Sequence, residues 1–323
     1  MSGVSIDRWL ELWPAVHSGA FGLLYDHSSH NVLVDTSHGS ISARHEWVAS
    51  LMSESTGFTR DGAVDRVGCG ADMGSLGTAV FVATGIDARN LGESAFGPAT
   101  GRSVSISTAT LALVNDDRIY RAWRFVDRAA LVEALGLHPA DVAASLAAGA
   151  PSRGGVPWEY GEVRAGLGQS APAESGEPTI GLPFGLQAWS DGVRTQWNAR
   201  RLSRVNPLYM EDAKVAAGFQ PLRPLEQFTD HPWWSLLTAM PDAVLFFERG
   251  CASDEPGGNQ RVAVLWRWVG RHTGPGLGVP PSGHRLHLRG VTYLELRQGG
   301  IVLERVFTDR IGTLADIYRR SKA

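Results

Sequence analysis

Apolar residues recur at two periods along this chain, and the change of period outlines its elements. Ile6, Trp9, Leu10 and Trp13 fall at i, i+3, i+4 and i+7, which predicts an amphipathic helix with one apolar stripe. Trp47, Val48, Leu51 and Met52 predict a second, with Ser40 or Ser42 near its start as a capping residue. From about residue 78 the pattern turns β-rich: 78–83, 103–114 and 119–126 read as strands, with Asn115-Asp116-Asp117-Arg118 as the turn between the last two. Leu131, Ala134 and Leu135 mark a closing helix that Gly136 terminates. The series then returns. Residues 261–269, 285–297 and 301–308 read as strands, Gln298-Gly299-Gly300 as the turn, and Ile311, Leu314, Ile317 and Tyr318 as a last helical stripe. Helices followed by an antiparallel meander define an α+β class. A curved sheet wrapped round helices leaves a cone whose mouth suits a small molecule.

The return is a duplication. Gly68, Cys69 and Asp72 reappear as Gly250, Cys251 and Asp254; Pro98, Thr100 and Gly101 as Pro280, Ser282 and Gly283; Ile119, Phe125 and Asp127 as Ile301, Phe307 and Asp309. Each pair is 182 positions apart, as from Cys69 to Cys251. Trp13 and Tyr25 pair with Trp197 and Tyr209 at an offset of 184. A period this long is a domain repeat. The reading is one domain over residues 1–148, a Gly/Pro-punctuated connector over 149–185, and a second domain over 186–323.

Composition narrows the function classes. The chain has 323 residues, 43% hydrophobic and 20% charged, which suits two globular domains and excludes a disordered chain. A net charge of −3 excludes a generally basic nucleic-acid binder. No apolar run approaches the ~20 residues that a membrane helix needs, and the start MSGVSIDRWLELW has no export pattern, so a cytoplasmic protein is expected. Cys69 and Cys251 are too few for a disulfide framework. Eleven Trp residues suit a deep aromatic-lined interior, whether as core or as cavity wall. Trp233, Trp234, Trp266 and Trp268 carry the same two readings. His27 and His30 have metal-like spacing, but no nearby acid or cysteine set completes it, and solvated or capping histidines are the expectation there. His45-Glu46-Trp47-Val48-Ala49 lacks the second histidine of a zinc-protease helix. Gly68-Cys69-Gly70-Ala71-Asp72-Met73-Gly74 misplaces the last glycine of a dinucleotide fingerprint, and no P-loop or nucleophile elbow is present. No metal and no cofactor are expected.

The run Gly270-Arg271-His272-Thr273-Gly274, then Gly278-Val279-Pro280-Pro281-Ser282-Gly283, Val291-Thr292-Tyr293-Leu294, Gly300-Ile301-Val302-Leu303-Glu304 and Asp309, resembles the SnoaL-like polyketide cyclase family. Met240-Pro241-Asp242 resembles its Phe-Pro-Asp turn, and Trp197-Asn198 its first helix. Copy one is similar through Gly101-Arg102, Ile119, Trp123, Asp127 and Leu135-Gly136-Leu137. The resemblance implies two tandem cones of the nuclear transport factor 2-like superfamily, paired through their sheets as an intramolecular pseudo-dimer, with further homo-oligomers allowed. That superfamily holds cyclases, ketosteroid isomerases, dehydratases, epoxide hydrolases and non-catalytic binding domains.

The resemblance places a general acid/base at the aspartate ending the last long strand, hence Asp127 and Asp309, with His272 as a further family residue. By strand alternation Asp127 shares a face with Ile119, Trp123 and Phe125, and Asp309 with Ile301, Leu303 and Phe307. A carboxylate on an apolar, cavity-facing surface is desolvated, and its raised pKa suits proton transfer beside a carbonyl. The alternative for each is a helix cap. Ile106, Thr108 and Thr110 are expected across from Asp127, and Arg305 and Thr292 near Asp309. Glu295, Tyr293, Arg289 and Glu304 are assigned to the opposite face, as solvent or interface residues. Expected substrate contacts are Trp123, Phe125, Arg305, Trp13, Trp197, Tyr209 and Trp266. Three functions compete: a cofactor-independent enzyme moving protons on a hydrophobic carbonyl compound, a binding or scaffold protein, and an epoxide-opening hydrolase built on Arg305 and Asp309. The partner in each is a small hydrophobic molecule, without nucleic acid or membrane.

Overall fold

A computed structural model describes residues 6–37, 39–148, 187–202 and 209–321 of the chain. The expected connector 149–185 lies outside the described residues. The chain divides into two compact units, residues 1–157 with 309–315, and residues 158–308 with 316–323. The segment 309–315 therefore groups with the first unit and not with the copy that encodes it.

The first unit opens with α1 (Ile6–His17) and α2 (Phe21–Asp26), then β1 (Ser28–Thr36), β2 (Gly39–Ile41) and α3 (Arg44–Ser55). Four long strands follow: β3 (Phe58–Asp72), β4 (Thr78–Asn90), β5 (Ser103–Asn115) and β6 (Arg118–Val126). Helices α4 (Arg128–Ala134) and α5 (Pro139–Ala148) end the series. Helix α1 continues past Pro14, which has no N–H to give to Leu10; the Arg66 guanidinium donates to that carbonyl at 3.4 Å. The expected serine cap of α3 is absent: the N-cap is Ala43, and the Ser40 hydroxyl donates to Asp35 at 2.6 Å. The sheet order is β2-β1-β6-β5-β4-β3, with β1 parallel to β6 and the other pairs antiparallel.

The second unit repeats this order. Its elements are α6 (Gln187–Asn198), β7 (Tyr209–Ala217), β8 (Arg223–Pro224), α7 (Trp233–Ala239), β9 (Val244–Glu255), β10 (Asn259–Arg271), β11 (Arg285–Arg297) and β12 (Gly300–Thr308); α8 (Arg310–Arg320) follows, its residues up to 315 grouping with the first unit. The sheet runs β8-β7-β12-β11-β10-β9, again with one parallel pair, β7 and β12. Helix α6 buries Trp189, Val193 and Trp197 at i, i+4 and i+8. Asn198 at its end donates to Leu245 O at 3.0 Å and accepts from Leu245 N at 2.8 Å, so its amide ties the helix to β9.

One irregularity sets which side chains face the helices. In β6 the pairing steps from Val114–Ile119 to Leu113–Arg121, leaving Tyr120 as an extra residue. In β12 it steps from Leu296–Ile301 to Glu295–Leu303, leaving Val302 extra. Both copies carry this β-bulge at the same repeat position. A bulge reverses the alternation beyond it. Ile119 and Ala122 thus join the helix-side core with Trp9, Trp13 and Trp47. Trp123 and Phe125 are buried on the other face of the strand. This corrects the expected parity: Asp127 does not share a face with Ile119, nor Asp309 with Ile301.

Candidate functional site

The reversed alternation turns Glu304, expected on an outer face, inward. Its partner across the ladder is Leu294, and the same face carries Thr292 and Trp266. Glu304 is fully buried, as is Tyr293 on the neighbouring strand. The Tyr209 hydroxyl donates to Glu304 Oε2, and His231 Nε2 lies 3.1 Å from the same oxygen. The Trp233 amide donates to His231 Nδ1 at 3.1 Å. A neutral ring whose Nδ1 accepts carries its proton on Nε2, so His231 donates to the carboxylate. Burial, followed by the neighbouring Glu304 charge, pushes the Tyr209 pKa well above its ordinary value, which keeps it a donor. Oε2 is therefore held by two donors, while Oε1 is buried with no hydrogen-bond partner.

Indoles pack against the His231 ring that holds this carboxylate. Trp197 lies 5.2 Å from the His231 ring, 5.6 Å from Trp233 and 5.9 Å from Trp268. Trp233 lies 5.5 Å from Trp266, whose N–H donates to Thr292 at 3.0 Å. The N–H groups of Trp233 and Trp268 are buried without an acceptor. The box is thus greasy in its walls and short of acceptors for two donors, which is the composition of a site for a carbonyl oxygen. Of the expected residues, Trp197, Tyr209 and Trp266 meet here. Glu304 and His231, not expected in a site, join them. Copy one has Ala122 at the place of Glu304, 182 positions earlier, and His45-Glu46-Trp47 at the place of His231-Pro232-Trp233.

The other expected residues are placed elsewhere. Asp309 is 3% exposed, and its carboxylate is fully engaged. Oδ1 accepts from the amides of Ile311 at 3.1 Å and Gly312 at 3.3 Å; Oδ2 accepts from Ser37 at 2.6 Å and Arg128 at 2.7 Å. It is a cap and an ion-pair partner. Asp127 caps α4, accepting from the Ala130 amide at 3.1 Å. Burial raises its pKa, opposed by that amide and by the Arg310 charge. Arg305 donates to Gly218 O at 2.9 Å and lies over the Phe219 ring. His272 is buried, and its Nδ1 accepts from the Ser282 amide at 3.2 Å, pinning residues 272–284. Burial lowers its pKa. Trp13 fills the first unit's core, 5.8 Å from Trp47. An acid–arginine–acid group of the kind epoxide opening requires is present as Glu54–Arg128–Asp309, with Arg128 donating to Glu54 at 3.0 Å. Every oxygen of its two carboxylates already accepts from a protein donor.

With this geometry in hand, a family likeness falls on the second copy. Residues 190–317 match the SnoaL-like polyketide cyclase family. Nothing among curated proteins matches the chain. Among solved structures, IdmH of Streptomyces antibioticus, a candidate polyketide cyclase, is 18% identical over 42% of this chain and 100% of its own, with a TM-score of 0.33. AclR of Streptomyces galilaeus, a candidate hydroxylase, is 20% identical over 41% and 83%, with a TM-score of 0.34. A candidate polyketide cyclase of Pseudomonas putida is 12% identical over 41% and 98%, with a TM-score of 0.34. Among the described residues, no helix is long and apolar enough to cross a membrane, and no cluster of three or more metal-ligating side chains occurs.

Proposed function

We propose that this protein is a cofactor-independent, cyclase-type enzyme that moves a proton on a hydrophobic carbonyl compound, and that Glu304 is its general base. The family match over residues 190–317 supports the reaction class. One observation carries the assignment: a fully buried carboxylate has one oxygen fixed by Tyr209 and His231 and the other without a partner, among four indoles. In this reading Oε1 removes the proton beside the substrate carbonyl. The developing enolate oxygen takes the N–H of Trp233 or Trp268. Glu304 then returns the proton where the new bond or isomer requires it. The low-dielectric walls strengthen each of these interactions relative to water.

The test is exchange of α-hydrogens for deuterium in heavy water, with polycyclic aromatic ketones as substrates and the full-length protein as catalyst. Glu304→Gln keeps the shape and removes the base; exchange is expected to fall by about 10²–10⁴-fold. Asp309→Asn, matched for protein fold by circular dichroism, is expected to keep most of the exchange rate. Wild-type exchange in Glu304→Gln, or loss confined to Asp309→Asn, would return the chemistry to the strand-end aspartate.

A further inference from the structure

The first unit has a separate interior site of opposite charge character. Arg60 from β3, Arg124 from β6, Arg128 from α4 and His17 from α1 converge on one cavity. The cavity has a volume of about 40 Å³, room for about three waters or one short ligand. Phe96, Ile106 and Leu131 form its apolar side.

The charges do not balance. Glu54 accepts from Arg124 at 2.7 Å and from Arg128 at 3.0 Å, and Asp309 accepts from Arg128 at 2.7 Å. Among the described residues, two acids thus face three guanidinium groups. Among the described residues no carboxylate pairs with Arg60: its Nη2 donates to Ser55 Oγ at 2.6 Å, and its Nη1 is buried without a partner. Arg124 is 6% exposed, and its Nε is likewise without an acceptor. His17 adds no charge. Burial, with the charges of Arg124 and Arg60, holds its pKa well below the ordinary value, and its Nδ1 bonds the Thr84 hydroxyl at 2.6 Å. Buried N–H groups normally find acceptors, and a buried cation normally finds an anion.

We propose that this cavity binds a small monocarboxylate, its oxygens bridging Arg60 and Arg124 and its short apolar body lying on Phe96, Ile106 and Leu131. One negative charge matches Arg60, which no carboxylate among the described residues pairs, and a carboxylate fits the planar donors of arginine. A dianion brings more charge than the cavity can neutralise. The second copy has Val306 at the place of Arg124, so its interior lacks this feature.

Calorimetric titration of the full chain with butanoate, the isosteric butanamide and inorganic phosphate decides the matter. Butanoate is expected to bind, with butanamide and phosphate each at least ~10-fold weaker. Arg60→Gln is expected to weaken butanoate by at least ~10-fold, Arg60→Lys by less, because it keeps the charge but loses the fork. Glu304→Gln is expected to leave butanoate affinity unchanged, so this test succeeds or fails apart from the catalytic reading. Absence of butanoate binding, equal binding of butanamide, tighter binding of phosphate, or an Arg60→Lys protein as weak as Arg60→Gln would each overturn the proposal. If Arg60→Gln does not fold, wild-type affinity in Arg60→Lys also overturns it.

Discussion

Asp127 shows how one side chain can meet an expectation about its pKa and also serve as a helix cap. Its burial raises the pKa, as a desolvated carboxylate requires, but its oxygen caps α4. The folded chain therefore holds this proton more tightly than the unfolded chain does. The stability it contributes is full below the unfolded value of about 3.9 and is lost as pH rises through the raised folded value. Asparagine keeps the capping oxygen without the charge. Asp127→Asn is expected to match the wild type near pH 3 and to exceed it near pH 7 in urea-unfolding midpoint. A gap that stays constant with pH would mean that the carboxyl is not desolvated in the folded state. Glu304 presents the reverse case: no motif marks it, and its importance comes from neighbours that are 95 and 73 residues away, Tyr209 and His231.

At the scale of elements, close approach between β11 and the indole box limits what the sheet tolerates. A Cβ on Gly290 would lie 2.3 Å from the Trp266 ring and 2.6 Å from Phe307 O. Trp266 is fully buried and held by Thr292, and it packs on Trp233, so it has no inexpensive way to yield. Gly290→Ala is expected to destabilise the fold by about 1–3 kcal/mol, the usual cost of overpacking, and to shift tryptophan fluorescence. An unchanged urea midpoint would show the box to be loose. The extra residues Tyr120 and Val302 act at the same scale. Each reverses its strand's alternation and so decides which half of the strand supplies the interior.

For the molecule as a whole, two repeats of one topology carry two unlike interiors. One is acidic and indole-lined, with Glu304; the other is arginine-rich, with Arg60 and Arg124. The first unit also takes in residues 309–315, so that Arg128 and Asp309 form a buried pair, 8% and 1% exposed in their side chains. Removing one member of such a pair strands the other's charge. Arg128→Met and Asp309→Leu are each expected to cost about 3–5 kcal/mol, and the double variant clearly less than their sum. Additive losses in thermal or urea unfolding would show that the pair is not coupled.

Periodicity and repetition were enough to indicate the α+β class, the recurrence of one strand order and most long strands, because these depend on local spacing and on side chains that must be buried somewhere. β3, β9, the parallel strands β1 and β7, and α5 were not legible: edge, short or Gly-rich segments owe their form to the neighbour they pair with. The strand-end aspartates were found as residues, but their strand face was not, since a single bulged residue reverses every later side chain and leaves no mark in the hydrophobic pattern. Sequence alone determined which residues were available. Only the tertiary structure decided that Glu304, Tyr209 and His231 would meet, that Asp309 would be consumed by amides and Arg128, and that Arg60 would be left without an anion, because desolvation and pairing depend on distance in space and not along the chain.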